Sequence, residues 1–209
     1  MRYTQRQKLA LLAGLVALFF VAALPFAFAS SKPKAKNTQT PGGANQVQGL
    51  KGKVGQMLFT GQWRFQVQNV QQVDSYTLKV PTAENDYAKY HDVAEYDNDT
   101  HVFTPKTGYT LIAADCLAKN AQTKVKQLDF FYGSQNTALT DDQGQSYQPI
   151  AYDMQTKSPC TTKPMLPGSA EKITILFAVP PGTKLQDMVV TLRNWDDGKS
   201  KDVRVSLAK

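Results

Sequence analysis

Leu166-Pro167-Gly168-Ser169-Ala170-Glu171-Lys172-Ile173-Thr174-Ile175-Leu176-Phe177-Ala178-Val179-Pro180-Pro181-Gly182 reads as one β-strand set between two turns. Pro167-Gly168 stops the preceding segment, and Ile173, Ile175, Phe177 and Val179 alternate with Lys172 and Thr174. Pro180-Pro181-Gly182 then forbids continuation. A strand with one dry face of this kind needs a second sheet to cover it.

The same grammar recurs on both sides. Gln56–Thr60 is a short strand, and after it Trp63, Phe65 and Val67 alternate with Gln62, Arg64, Gln66 and Gln68, which places Trp63 in the core. Ser75–Val80 carries Tyr76, Leu78 and Val80 in one register until Pro81 ends it. Gly108–Asn120 is a long strand with Ile112, Ala114, Cys116 and Ala118 facing inward and Asp115 outward. Gln127–Tyr132 follows, then Thr137–Thr140 and Gln145–Ile150, a hairpin across Asp141-Asp142-Gln143-Gly144. Tyr152–Pro164 reads as a Pro- and Thr-rich loop. Met188–Trp195 and Asp202–Leu207 form a second hairpin across Asp196-Asp197-Gly198-Lys199, with Val190 and Leu192 pairing against Val203 and Val205. Short strands with a turn signal roughly every ten residues, and no amphipathic helix beyond the N-terminus, predict an all-β antiparallel sandwich. A closed barrel is the alternative that strand spacing allows.

The N-terminus sets the compartment. Arg2, Arg6 and Lys8 precede an unbroken apolar run from Leu9 to Leu24, and Ala27-Phe28-Ala29 follows Pro25. That is a secretory signal with a small-x-small processing site, so residues 1–29 are expected to be removed and the mature chain to begin at Ser30. The alternative is an uncleaved anchor, since Leu9–Ala29 is 21 residues long and long enough to span a bilayer. Residues 30–49, rich in Ser, Lys, Pro, Asn, Gln and Gly, read as a disordered linker, and residues 50–209 as one domain.

Net charge is +7, but residues 1–36 hold six basic residues and no acid, which leaves 18 basic against 17 acidic residues beyond them. This is no footprint for nucleic acid. In an oxidising compartment the two cysteines, Cys116 and Cys160, are expected to pair.

Residues 81–107 break the pattern, being rich in Asp, Glu, Asn and Tyr with no sustained period. They read as a long insertion with one helical turn at Asn85–Tyr90, and loops of this length are often functional. The segment offers Tyr87, Tyr90 and Tyr96, with His91 and His101, as a recognition loop. His91, Asp92, Glu95, Asp97 and His101 are weak metal candidates, because their spacing matches no established ligand motif. On this reading, deleting Asp86–His101 leaves a folded sandwich and removes partner binding.

Several turn and strand-end motifs together resemble a known family. They are Lys53-Val54-Gly55, Gly108-Tyr109 opening a strand that closes on Lys119-Asn120, Leu139 to Tyr147, Leu166-Pro167-Gly168, and Phe177 to Gly182. In that order they are similar to bacterial secreted immunoglobulin-like domains of unknown function, related to the mycobacterial secreted immunogenic protein. The resemblance covers roughly residues 50 to 195 and implies an extracytoplasmic antiparallel sandwich with no established activity or ligand. This chain departs from the pattern in its 81–107 insertion, its two cysteines and its lack of a lipobox cysteine.

No catalytic constellation accompanies the fold. The only histidines lie in the insertion, there is no Gly-x-Ser-x-Gly elbow, phosphate loop, Cys-x-x-Cys or His-Glu-x-x-His, and the pairs Asp141-Asp142 and Asp196-Asp197 each sit beside a turn glycine. The expectation is a non-catalytic, cofactor-free exported domain, periplasmic or extracellular, that binds an unknown protein or envelope component and is not inserted in the membrane after signal removal. The alternative is a metal-binding protein or hydrolase with its site in the insertion.

Overall fold

A computed structural model describes residues 48–79, 92–129, 136–154 and 162–208. All of these belong to one compact unit, Asn37–Lys209. The signal, nearly all of the linker, Val80, Tyr87, Tyr90, His91 and Cys160 lie outside the described residues.

Fifteen strands occur among the described residues. They are β1 (Leu50–Lys53), β2 (Leu58–Phe59), β3 (Trp63–Val73), β4 (Tyr76–Thr77), β5 (Ala94–Asp97), β6 (Val102–Pro105), β7 (Thr110–Asn120), β8 (Lys126–Asp129), β9 (Ala138–Asp141), β10 (Ser146–Tyr147), β11 (Pro149–Met154), β12 (Thr162–Met165), β13 (Ala170–Val179), β14 (Leu185–Asn194) and β15 (Ser200–Ser206). One sheet runs β1-β15-β14-β8-β12, with β9 also on β14 and β10 on β9. The second runs β11-β13-β7-β3-β2, and a third, small sheet runs β4-β6-β5. Among the described residues only the β1–β15 pair is parallel. No strand pairs from one large sheet to the other among the described residues, so the architecture is a sandwich and not a closed barrel.

The core between the large sheets forms as the alternation predicts. Trp63, Phe65 and Val67 of β3, Ile112, Ala114, Cys116 and Ala118 of β7, and Ile173, Ile175, Phe177 and Val179 of β13 meet Met188, Val190, Leu192, Val203 and Val205 from the facing sheet. In β3 the register shifts between Val67 and Asn69. This bulge flips the parity, so that Val70 packs on the core and the strand continues past the point where its alternation ends.

A second core lies on the opposite face of the β13-β7 sheet. Leu111, Ala113, Leu176 and Ala178 point away from the first core and are covered by Leu78, Ala94 and Phe103 of the small sheet and its approach. From Ile173 onward β13 is therefore buried on both faces. Its outward residues are mostly apolar because a roof covers them.

That roof corrects the reading of residues 81–107 as a long insertion without strands; the helical turn expected at Asn85–Tyr90 lies outside the described residues. The second half of the segment is the β5-β6 hairpin, in which Tyr96 pairs with Phe103 and Ala94 with Pro105. Each strand is only four residues long, too short for its alternation to stand out. Four further expectations shift. Ser75–Val80 is regular strand only at Tyr76–Thr77, although Leu78 is buried. Gln145–Ile150 is two strands, because the chain leaves one large sheet after Tyr147 and joins the other at Pro149. Tyr152–Pro164, expected as a loop, contains the end of β11 and most of β12. In the last hairpin Val190 pairs with Val203 as expected, but Met188 takes Val205 and Leu192 faces Lys201.

Candidate functional site

The carboxylate pairs come first, because paired acids are the sequence's nearest approach to a catalytic set. Asp141 Oδ1 accepts hydrogen bonds from the backbone N–H groups of Gln143 and Gln145, and Oδ2 accepts from Tyr147 Oη at 2.8 Å. Asp197 Oδ1 accepts from Lys199 N and Asn194 Nδ2, and Oδ2 accepts from Gln62 Nε2. Those bonds, the Lys199 N–H foremost, hold the Asp197 carboxyl below the usual carboxylate range. Asp196 pairs with Lys126 at 3.7 Å. One member of each pair, Asp141 and Asp197, holds its turn, as the neighbouring glycine suggests, while Asp196 also accepts from Gln127 N.

A third polar cluster was not legible in the sequence. Asp153 on β11, Thr174 on β13 and Asp115 on β7 are direct cross-strand neighbours. Tyr76 Oη donates to Asp153 Oδ2 at 2.7 Å and Lys79 N donates to the same oxygen at 3.0 Å. Thr174 Oγ1 donates to Asp115 Oδ1 at 2.8 Å and accepts from Lys79 Nζ at 3.4 Å. Burial, reinforced by the nearby Asp153 carboxylate, pushes the Tyr76 hydroxyl well above its ordinary value of 10.0. It stays a proton donor rather than becoming a base. The row clasps the start of the small sheet to the sandwich. Each strand contributes one polar residue within an apolar run, and only the register brings the three together.

The residues proposed for recognition or metal binding divide sharply. Tyr96 stacks on Phe103 with ring centroids 4.6 Å apart, and its hydroxyl lies 3.0 Å from His101 Nδ1, so it packs into the roof. His101 closes the β5-β6 turn with a φ of 58°. Asp97 Oδ1 accepts from the N–H groups of Asp99 and Thr100. The Thr100 hydroxyl first, and then the Thr100 and Asp99 N–H groups, lower the Asp97 pKa, and these bonds make the residue a turn anchor. Asp92 and Glu95 stand on the same hairpin, and among the described residues no three His, Cys, Asp or Glu side chains gather at one point. Cys116 carries a free, fully buried thiol whose Sγ donates to Ala114 O at 3.6 Å. Burial pushes its pKa far up, which makes it unreactive.

A groove of about 530 Å³ lies where the ends of β1 and β15 and the start of β14 approach β3. Val54, Val70, Leu185 and Leu207 supply its apolar lining, and Lys53 and Asn69 its polar part.

No family model matches this chain. No curated protein matches it either. Solved structures similar to it include the following three. An uncharacterized β-sandwich protein from Clostridium difficile 630 is 9% identical, with a TM-score of 0.42 over 78% of this chain and 97% of its own. The yjhA protein from Bacillus subtilis is 13% identical, with a TM-score of 0.44 over 74% and 99%. A conserved hypothetical protein from Bacillus anthracis is 11% identical, with a TM-score of 0.40 over 72% and 93%.

Proposed function

We propose that this is a non-catalytic, exported domain of the cell envelope that acts by binding an envelope component or by its structural presence there. The observation that carries the reading is the commitment of the Asp pairs. Asp141 and Asp197 spend their carboxylate oxygens on turn N–H groups and neighbouring side chains, and Asp153 spends one on the clasp to the small sheet. Groups so engaged hold backbone and are not poised to move a substrate proton. The alternative, a metal protein or hydrolase built on the 81–107 segment, loses Asp97 to its turn.

The finer assignment, to secreted immunoglobulin-like domains related to the mycobacterial secreted immunogenic protein, is part of the same proposal. It rests on motifs whose glycines, Gly55, Gly108, Gly144, Gly168 and Gly182, all have positive φ. That is turn geometry, which favours glycine for lack of a Cβ, so the resemblance speaks to fold and leaves the ligand open. Export and periplasmic or extracellular location rest on the N-terminal sequence, and the Cys116–Cys160 disulfide on that compartment.

Pull-down from the native envelope with the chain starting at Ser30, alongside metal analysis and a hydrolase screen, tests the reading. The expected result is a retained envelope component with no bound metal and no turnover. Stoichiometric metal or hydrolysis would overturn it.

A further inference from the structure

Among the described residues seven large apolar side chains are exposed, and four of them, Leu50, Val54, Met57 and Phe59, fall within ten consecutive positions. These positions run along β1, the outermost strand of one large sheet, through a turn to β2, the outermost strand of the other. The four side chains therefore line a side of the sandwich where an edge strand of each large sheet meets the other. The edges are in contact there, since a Cβ on Gly52 would stand 2.6 Å from a Leu58 methyl. The Arg64 guanidinium lies over the Phe59 ring, 5.7 Å from its centroid, so cation and apolar ring share one face. The apolar groove opens directly beside Val54.

The charged side chains of β1, β2 and β3 are all basic, while Asp187 and Asp202 on the neighbouring β14 and β15 are engaged by Arg204 and Thr191. The first acidic residue of the chain is Asp74; before it stand nine of the 24 Lys and Arg and none of the 17 Asp and Glu. Lys51, Lys53 and Arg64 belong to the edge itself, and Lys119 is the direct cross-strand neighbour of Arg64. The chain enters the fold at this place, from a leading stretch that holds the apolar run Leu9–Ala29 and Lys32, Lys34 and Lys36. Lysines on an edge strand also discourage sheet-to-sheet pairing, but that role accounts for Lys51 and Lys53 and leaves Val54, Met57 and Phe59 unexplained.

We propose that the Leu50–Phe59 edge docks the domain onto an anionic lipid surface, with Met57 and Phe59 entering the interface and Lys51, Lys53 and Arg64 facing the headgroups. Apolar side chains beside basic ones bind such surfaces by combined burial and electrostatic attraction. The inference rests on the reading of the chain as an envelope domain and supplies the component it contacts.

Co-sedimentation of purified Ser30–Lys209, which contains the whole compact unit, with vesicles of 30% phosphatidylglycerol in phosphatidylcholine tests it. Binding is expected to be at least about tenfold tighter than to pure phosphatidylcholine and to weaken with salt. The double variant M57S/F59S, altered only at exposed positions and retaining all three tail lysines, is expected to lose at least about fivefold while keeping its melting temperature. Equal binding to neutral vesicles, or an unchanged M57S/F59S variant, overturns the proposal. So does light scattering that shows the edge occupied by a second copy of the chain. Because the measurement uses purified protein, finding the native chain in the cytoplasm would defeat the envelope reading and leave the lipid result standing.

Discussion

Tyr76 donates its hydroxyl proton to Asp153 across 77 residues of sequence, at 2.7 Å. This one bond joins the first strand of the small sheet to the edge strand of the sandwich. Removing it as Tyr76→Phe leaves Asp153 nearly buried with one donor fewer. The expected loss is about 1–3 kcal/mol, the usual cost of a buried acceptor deprived of a charge-assisted bond. Urea unfolding should show a lower midpoint at unchanged slope; an unchanged midpoint would mean the clasp does not hold the sheet.

The same tyrosine sets an alkaline limit. Its folded pKa is raised above the unfolded value of 10.0, so the folded state holds the proton more tightly. This contribution is fully present below pH 10 and is lost as pH rises through the folded value. Stability measured from pH 9 upward should fall less steeply in Tyr76→Phe than in the parent. Parallel curves would contradict the assignment.

The acid side has the opposite sign. Asp97 and Asp197 have folded pKa values below 3.8, so their contribution is present above that value and lost as pH falls through the lower folded ones. Asp197→Asn keeps an oxygen acceptor but not the charge. Its stability curve is expected to run flatter than the parent's below pH 4. Both carboxylates are exposed, so the effect is small and should shrink in salt.

Asn120 ties the connection after β7 to the turn between β12 and β13. Its Nδ2 donates to Lys124 O at 2.8 Å and Met165 O at 2.9 Å, its Oδ1 accepts from Gln122 N, and its own N–H donates to Ser169 O. Asn120→Ala leaves two carbonyls and one N–H to find new partners, at about 2–4 kcal/mol. Thermal unfolding measures it, and a loss below about 0.5 kcal/mol, the range of a neutral surface change, would show that water replaces the side chain.

Cys116 predicts a chemical signature. Its thiol is fully buried, so in protein prepared under reducing conditions iodoacetamide should leave it untouched in the folded state and modify it once urea opens the core. A Cys116–Cys160 peptide in non-reducing maps of envelope-derived protein would instead establish the disulfide.

What the sequence disclosed follows from the length of its signals. Trp63, Phe65 and Val67, and Ile173 to Val179, alternate long enough to fix a face, and the two Asp-Gly hairpins announce their turns; all of these are found where they were read. The small sheet escaped because β5 and β6 are four residues each and their turn closes on a histidine at positive φ instead of a glycine. The bulge at Val67/Asn69 and the sheet switch between Tyr147 and Pro149 are invisible to periodicity for the same reason. The Asp115–Thr174–Asp153 row depends on register between strands far apart in the chain, which no local pattern encodes.

The central claim is that the hairpin Ala94–Pro105 is a roof over a second core. Deleting Asp86–His101 with a short Gly-Ser bridge tests it most directly. Uncovering Leu111 and Leu176 alone costs about 3–6 kcal/mol at roughly 1.5–3 kcal/mol per side chain, a large part of the 5–15 kcal/mol typical of a domain. The predicted result is a melting temperature lower by at least about 10 °C, or loss of the cooperative transition, with new dye-binding apolar surface. A shortened chain that melts within about 2 °C of the parent would contradict the roof and return the segment to the role of a dispensable recognition loop.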